Sequence, residues 1–87
     1  MDIFFAAEID VHIAVVDLHE FTTLPEALEQ LEQKLFVFFQ RGEKYIRVVH
    51  GIGGGYLAAS VHAALDKNPL VREWKESDHG GSCIIIF

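Results

Sequence analysis

The stretch that most constrains the fold is Arg-Val-Val-His-Gly-Ile-Gly-Gly-Gly-Tyr-Leu, residues 47–57. An apolar run ends at His50, glycines follow at 51, 53, 54 and 55, and a helical pattern opens at about Leu57. Four of the chain's seven glycines fall within five positions. Glycine takes positive φ without strain and lets a ligand approach the backbone. The free N–H groups of a helix start carry partial positive charge, so strand, glycine loop and helix together form a ready anion site. His50 would stand at the carboxyl end of the strand, the edge where open α/β sheets bind ligands.

Eighty-seven residues suffice for one small domain. Hydrophobic residues make up 51% of the chain, enough for a packed core. The apolar runs are too short to span a bilayer, and Asp2 and Glu8 argue against a signal peptide. The lone Cys83 fits a reducing compartment, so a cytoplasmic location is expected. The net charge of −6 argues against a broad, sequence-independent nucleic-acid surface. A local basic patch is still open, because Arg41, Lys44 and Arg47 cluster just before the glycine loop. The plainer reading of that cluster is a solvated face.

Residues 1–12 read as an N-terminal arm or linker, with 13–87 as the domain. Ile13–Leu18 is rich in β-branched residues and predicts a strand. Thr23-Leu-Pro-Glu26 is a capping box with proline in the first turn. The helix it opens runs to about Arg41, with Leu24, Ala27, Leu28, Leu31, Leu35, Phe38 and Phe39 on one face. Gly42 is suited to cap its end. Lys44–Val49 predicts a second strand, and Leu57–Lys67 a second helix with Leu57, Val61, Ala64 and Leu65 inward. Asn68-Pro69 stops that helix. Leu70–Lys75 predicts a third strand, Ser77–Gly81 a turn, and Ser82–Phe87 a fourth strand.

The order β-α-β-α-β-β predicts an α/β two-layer sandwich: a mixed four-stranded sheet with two helices packed mainly on one face. Asp17 and His19 leave the first strand on one face, and His50 leaves the second at the same edge. A carboxylate and two imidazoles beside an anion site suit acid–base cleavage of a phosphodiester, or a divalent metal. They equally suit a purely structural role, with Asp17 bonded to backbone N–H groups and His50 stabilising the loop. His62 reads as surface or satisfied core, Cys83 as core, and His12 and His79 carry no assigned role. No P-loop is present, because Tyr56-Leu57 stands where Lys-Ser/Thr is required. Gly53-x-Gly55-x-x-Ala58 matches a dinucleotide pattern formally, but 87 residues cannot supply that whole fold.

Taken together, Asp17-Leu18-His19, the helix opening around Pro25-Glu26-Ala27, Val49-His50-Gly51-x-Gly53-x-Gly55-x-Leu57 and Pro69-Leu70-Val71 resemble the Smr (small MutS-related) domain. That domain forms the C-terminal part of MutS2 proteins. The resemblance covers roughly residues 13–87 and implies the β-α-β-α-β-β sandwich of the C-terminal domain of translation initiation factor three. It also implies a nicking endonuclease, acting on DNA ahead of RNA, in DNA repair or recombination. Carried over, the catalytic residues are Asp17, His19 and His50, with Gly51, Gly53 and Gly55 shaping the phosphate-binding loop; Arg47 and Gly54, beside and within that loop, are further candidate nucleic-acid contacts. No cofactor is assigned; magnesium or manganese is left open, as are the ribosome as a partner and the oligomeric state. The sequence departs from the family pattern at Glu20, where glycine is common, and at Ala58, where a basic residue is common. Both changes make the edge less positive, which suits the alternative of a non-catalytic module that binds nucleic acid, a ribosome or a protein.

Overall fold

The computed structural model describes residues 2–51, 56–78 and 80–87. Its longest element is the helix Leu24–Gln40, which lies second among the described helices and is labelled α2. The Thr23 side chain accepts the Glu26 N–H at 3.3 Å, as the capping box requires. At the other end Gly42 takes φ +82°. Its N–H donates to the Phe39 carbonyl at 3.0 Å, and the Glu43 N–H donates to the Phe38 carbonyl at 3.1 Å. This pair of bonds is a complete Schellman cap. The helix buries Ala27, Leu31 and Leu35. Leu24 and Phe39, expected on the same face, lie in the end turns of the helix and are exposed. Phe39 meets the ring of Phe87 edge-on at 5.9 Å.

The strands are β1 (Val15–Asp17), β2 (Tyr45–Val49), β3 (Glu73–Glu76) and β4 (Ser82–Ile86). They form one sheet in the order β1-β2-β4-β3. β1 and β2 are parallel, with Val16 opposite Val48. β4 is antiparallel to both β2 and β3. The mixed four-stranded sheet is therefore as the sequence predicts, and the last strand lies inside it.

The third strand begins later than its apolar residues suggest. Asn68 Oδ1 accepts the Leu70 N–H at 2.8 Å, and the Asn68 carbonyl accepts the Val71 N–H at 3.1 Å. These bonds hold residues 69–71 in a turn, and pairing starts with the Arg72 N–H on the Ile86 carbonyl at 2.8 Å. β1 is also shorter than Ile13–Leu18, although backbone bonds extend the pairing from Ala14 to Leu18.

Strand alternation sorts the core. Val16, Leu18, Ile46, Val48, Cys83 and Ile85 face α2 and a third helix, α3 (Tyr56–Lys67), which contributes Val61 and Leu65. Ile84 and Ile86 face the opposite side and pack against Ala7. Ala7 belongs to a short helix, α1 (Ile3–Ile9), in the region read from sequence as an arm or linker. Its N-cap Asp2 accepts the Phe4 N–H at 2.9 Å. The expected pair of helices thus covers one face, and α1 covers part of the other. Because both faces are covered, all five residues of β4 are buried. Burying each isoleucine side chain stabilises the fold by about 1.5–3 kcal/mol. Among the described residues, no helix is long and apolar enough to cross a membrane.

Candidate nucleic-acid interface

Because β1 and β2 are parallel, their carboxyl ends share one edge, with Asp17 opposite Val49. Leu18 is buried and anchors the chain as it leaves β1. The residues on either side of it point outward and meet. Asp17 Oδ1 accepts the His19 backbone N–H at 3.1 Å and also contacts His19 Nδ1. The Asp17 and His19 side chains are 37% and 59% exposed, so the pair is open to a ligand. A carboxylate on Nδ1 fixes the orientation of the imidazole and, with the proton there, leaves Nε2 basic.

Gly51 abuts this pair. It takes φ +86°, and a Cβ added to it would stand 3.6 Å from His19 Cβ. The His50 and Gly51 N–H groups both donate to the Gly81 carbonyl at 3.0 Å, which ties the start of the glycine loop to the turn before β4. Gly53, Gly54 and Gly55, expected to cradle phosphate, lie outside the described residues, as does His79. α3 begins at Tyr56, directly after the glycines as expected.

The expected convergence of Asp17, His19 and His50 is met only by the first two. His50 is 5% exposed and its ring turns inward. Its Nδ1 is 3.0 Å from the Gly51 carbonyl oxygen, and its Nε2 is 3.5 Å from Cys83 Sγ. Strand alternation explains the direction: two residues after buried Val48, His50 falls on the α3 side. Its ring meets that of His62 edge-on at 5.4 Å.

Arg47 also departs from expectation. It alternates onto the α1 face, where Nη1 donates to Ser77 Oγ at 3.1 Å and Ser82 Oγ at 2.9 Å and pairs with Glu8 at 3.2 Å. The guanidinium holds α1 to the sheet, so its closeness in sequence to the glycine loop does not make it a phosphate contact. Two aromatic residues that sequence reasoning passed over flank the edge instead. Phe21 and Tyr56 line one shallow depression with Thr23 and Leu57. Tyr56 is 88% exposed, and its position just after the last glycine was the available signal.

The comparisons with known proteins identify the family and the fold. The family model described as the Smr domain matches residues 16–86. The Endonuclease MutS2 of Thermomicrobium roseum is 42% identical over 50 residues, 58% of this chain and 6% of its own length. That of Aquifex aeolicus is 34% identical over 62 residues, 69% of this chain and 8% of its own. The chain therefore spans under a tenth of these curated relatives. The Smr domain of Thermus thermophilus MutS2 superposes with a TM-score of 0.78 at 27% identity, covering 85% of this chain and 96% of that one. The SMR domain of NEDD4-binding protein 2 gives 0.62 at 26% identity, covering 88% of each. By sequence and by fold alike, this chain belongs to the Smr domain family.

Proposed function

We propose that the domain is a nucleic-acid endonuclease module of the MutS2 type that nicks one strand, DNA ahead of RNA. The observation that carries this reading is the exposed Asp17–His19 pair beside the Gly51 turn, at the carboxyl edge of the parallel strands. His19 Nε2 takes a proton from the attacking water as the water oxygen bonds to phosphorus. The phosphorus–oxygen bond to the leaving sugar breaks, and the imidazolium returns the proton to that oxygen. Asp17 holds the ring through Nδ1. Such proton transfer contributes about 10²–10⁴-fold. His50, turned inward, sets the turn that presents the loop. Phe21 and Tyr56 offer surfaces on which bases can stack.

With a net charge of −6, the grip on phosphate is local: the start of α3 and its N–H groups supply it. Magnesium or manganese, where the reaction uses it, would find the Asp17 carboxylate and the substrate's phosphate oxygens, hard donors of the kind these ions take. The decisive assay incubates the domain with supercoiled plasmid and with structured RNA, with and without Mg²⁺ or Mn²⁺. Nicking that disappears in His19→Ala, in a protein that stays folded, supports the reading; nicking unchanged in that variant refutes it.

A second reading is a non-catalytic module binding nucleic acid, a ribosome or a protein. Exposed Glu20, directly beside His19, favours it by placing negative charge where phosphate would approach. It predicts no cleavage under any condition, with binding that survives His19→Ala. Binding that falls steeply with salt identifies a nucleic acid, because an apolar protein contact is insensitive to it.

A further inference from the structure

We propose that His50, His62 and Cys83 form a site for a borderline-soft divalent cation of the zinc type, held between α3 and the sheet. Each residue offers one donor atom, and the three donors lie within 4.8 Å of one another. Tetrahedral coordination, with zinc–sulfur near 2.3 Å and zinc–nitrogen near 2.0–2.1 Å, sets sulfur and nitrogen about 3.5 Å apart. Cys83 Sγ and His50 Nε2 already stand 3.5 Å apart.

The surroundings of the two rings point the same way. His62 Nε2 is buried and has no hydrogen-bond partner among the described residues. A buried polar atom left unsatisfied is costly, and a bound cation would satisfy it. His50 Nδ1 lies 3.0 Å from the Gly51 carbonyl oxygen. With the Nδ1 hydrogen donated there, the Nε2 lone pair faces the thiol, the arrangement typical of a metal-binding histidine. His62 stacks on Trp74 at 4.5 Å and 19° between ring planes, and Trp74 Nε1 donates to Asp66 Oδ1 of α3 at 2.7 Å. That ring is thus held in place from outside the site.

Charge and softness favour the zinc type over magnesium or manganese. A thiolate and two imidazoles are ligands that hard ions take poorly. Glu76, opposite Cys83 in the strand register, adds negative charge nearby. Cys83 would bind as the thiolate, so loading releases its proton. A bound cation would clamp His50, the residue before the glycine loop, to α3 and β4 at once. The site does not depend on the nuclease reading.

The test titrates tag-free protein with Co²⁺ as a spectroscopic substitute for zinc. The expected result is a thiolate-to-cobalt charge-transfer band that saturates at one equivalent and disappears when zinc is added. Zinc at a hundredfold excess over Kd should raise Tm by roughly 10–20 °C for a domain of this size. Cys83→Ser should abolish the band, His62→Gln should weaken cobalt binding at least tenfold, and His19→Ala should leave the band in place. A parent protein without the band, or a band that survives Cys83→Ser, overturns the proposal. Should Cys83→Ser lose its circular dichroism signature, folded His62→Gln decides: unchanged cobalt affinity there overturns it too.

Discussion

Replacing Arg47 by methionine would separate a structural arginine from a phosphate contact. Methionine keeps the apolar stem and removes the guanidinium. Lost are hydrogen bonds to Ser77 Oγ at 3.1 Å and Ser82 Oγ at 2.9 Å, and the pairing with Glu8 at 3.2 Å. Bonds to a charged group are worth about 1.5–3 kcal/mol each when buried. Two features lower the sum. Ser82 still donates to Ser77 and Ser77 to Glu8, so neither hydroxyl is orphaned. The Glu8 side chain, 29% exposed, can also rehydrate. The expected loss is about 2–3 kcal/mol, or roughly 10–20 °C in Tm. Hydrogen exchange should speed first in α1, at the Ala6 N–H that bonds to the Asp2 carbonyl. Thermal melts by circular dichroism and amide exchange measure both. An unchanged Tm, together with weaker DNA binding and a salt slope reduced by about one, would refute the assignment and return Arg47 to the nucleic-acid surface.

Leu31→Ala, at a fully buried position, should cost about 2–5 kcal/mol in urea melts. Phe36→Ala on the outer face of the same helix should stay within roughly 0.5 kcal/mol. Gly51→Ala and Gly42→Ala both place alanine at positive φ, +86° and +82°, and each should lose about 1–2 kcal/mol by the same melts. Only the first should also slow plasmid nicking, because the backbone strained there lies beside the Asp17–His19 pair. The Cys83 thiol ordinarily titrates near 9.0 and is raised to about 12 in the fold. A raised value holds the proton more tightly in the folded state. Its contribution is therefore complete below pH 9 and is lost as pH climbs towards 12. Urea midpoints should fall across that range less steeply in Cys83→Ala, and iodoacetamide at pH 8 should label the folded parent far more slowly than the unfolded chain.

How far the sequence could be read depended on whether a signal was local. The extent of α2 is legible because its capping box, helical period and terminal glycine lie along one continuous segment, although the exposure of Leu24 and Phe39 at its ends is not. The sheet followed from alternating strand and helix patterns. α1 was not legible: seven residues give too little periodicity, and so short a helix is stabilised by packing on Ile84 and Ile86 rather than by propensity. The late start of β3 depended on one side-chain oxygen of Asn68. At the site, the positions of Asp17, His19 and His50 at one edge were readable. The direction of the His50 ring follows from strand alternation after buried Val48, not from its place at the edge. Arg47 misled through linear proximity, since adjacent strand residues point to opposite faces.

The placement of β4 has a consequence for the order of folding. β2 and β3 do not pair with each other; each pairs with β4, which comes after both in the chain. During vectorial synthesis the ribosome therefore releases the two outer parts of the sheet before the strand that joins them. Until residues 82–86 emerge, the inner faces of β2 and α3 have no Cys83 or Ile85 to close on, and α1 has no Ile84 or Ile86. Local helices can form early, but sheet completion waits on contacts far apart in sequence, which slows folding. A nascent chain stalled before β4 is then the species most exposed to chaperones and proteases.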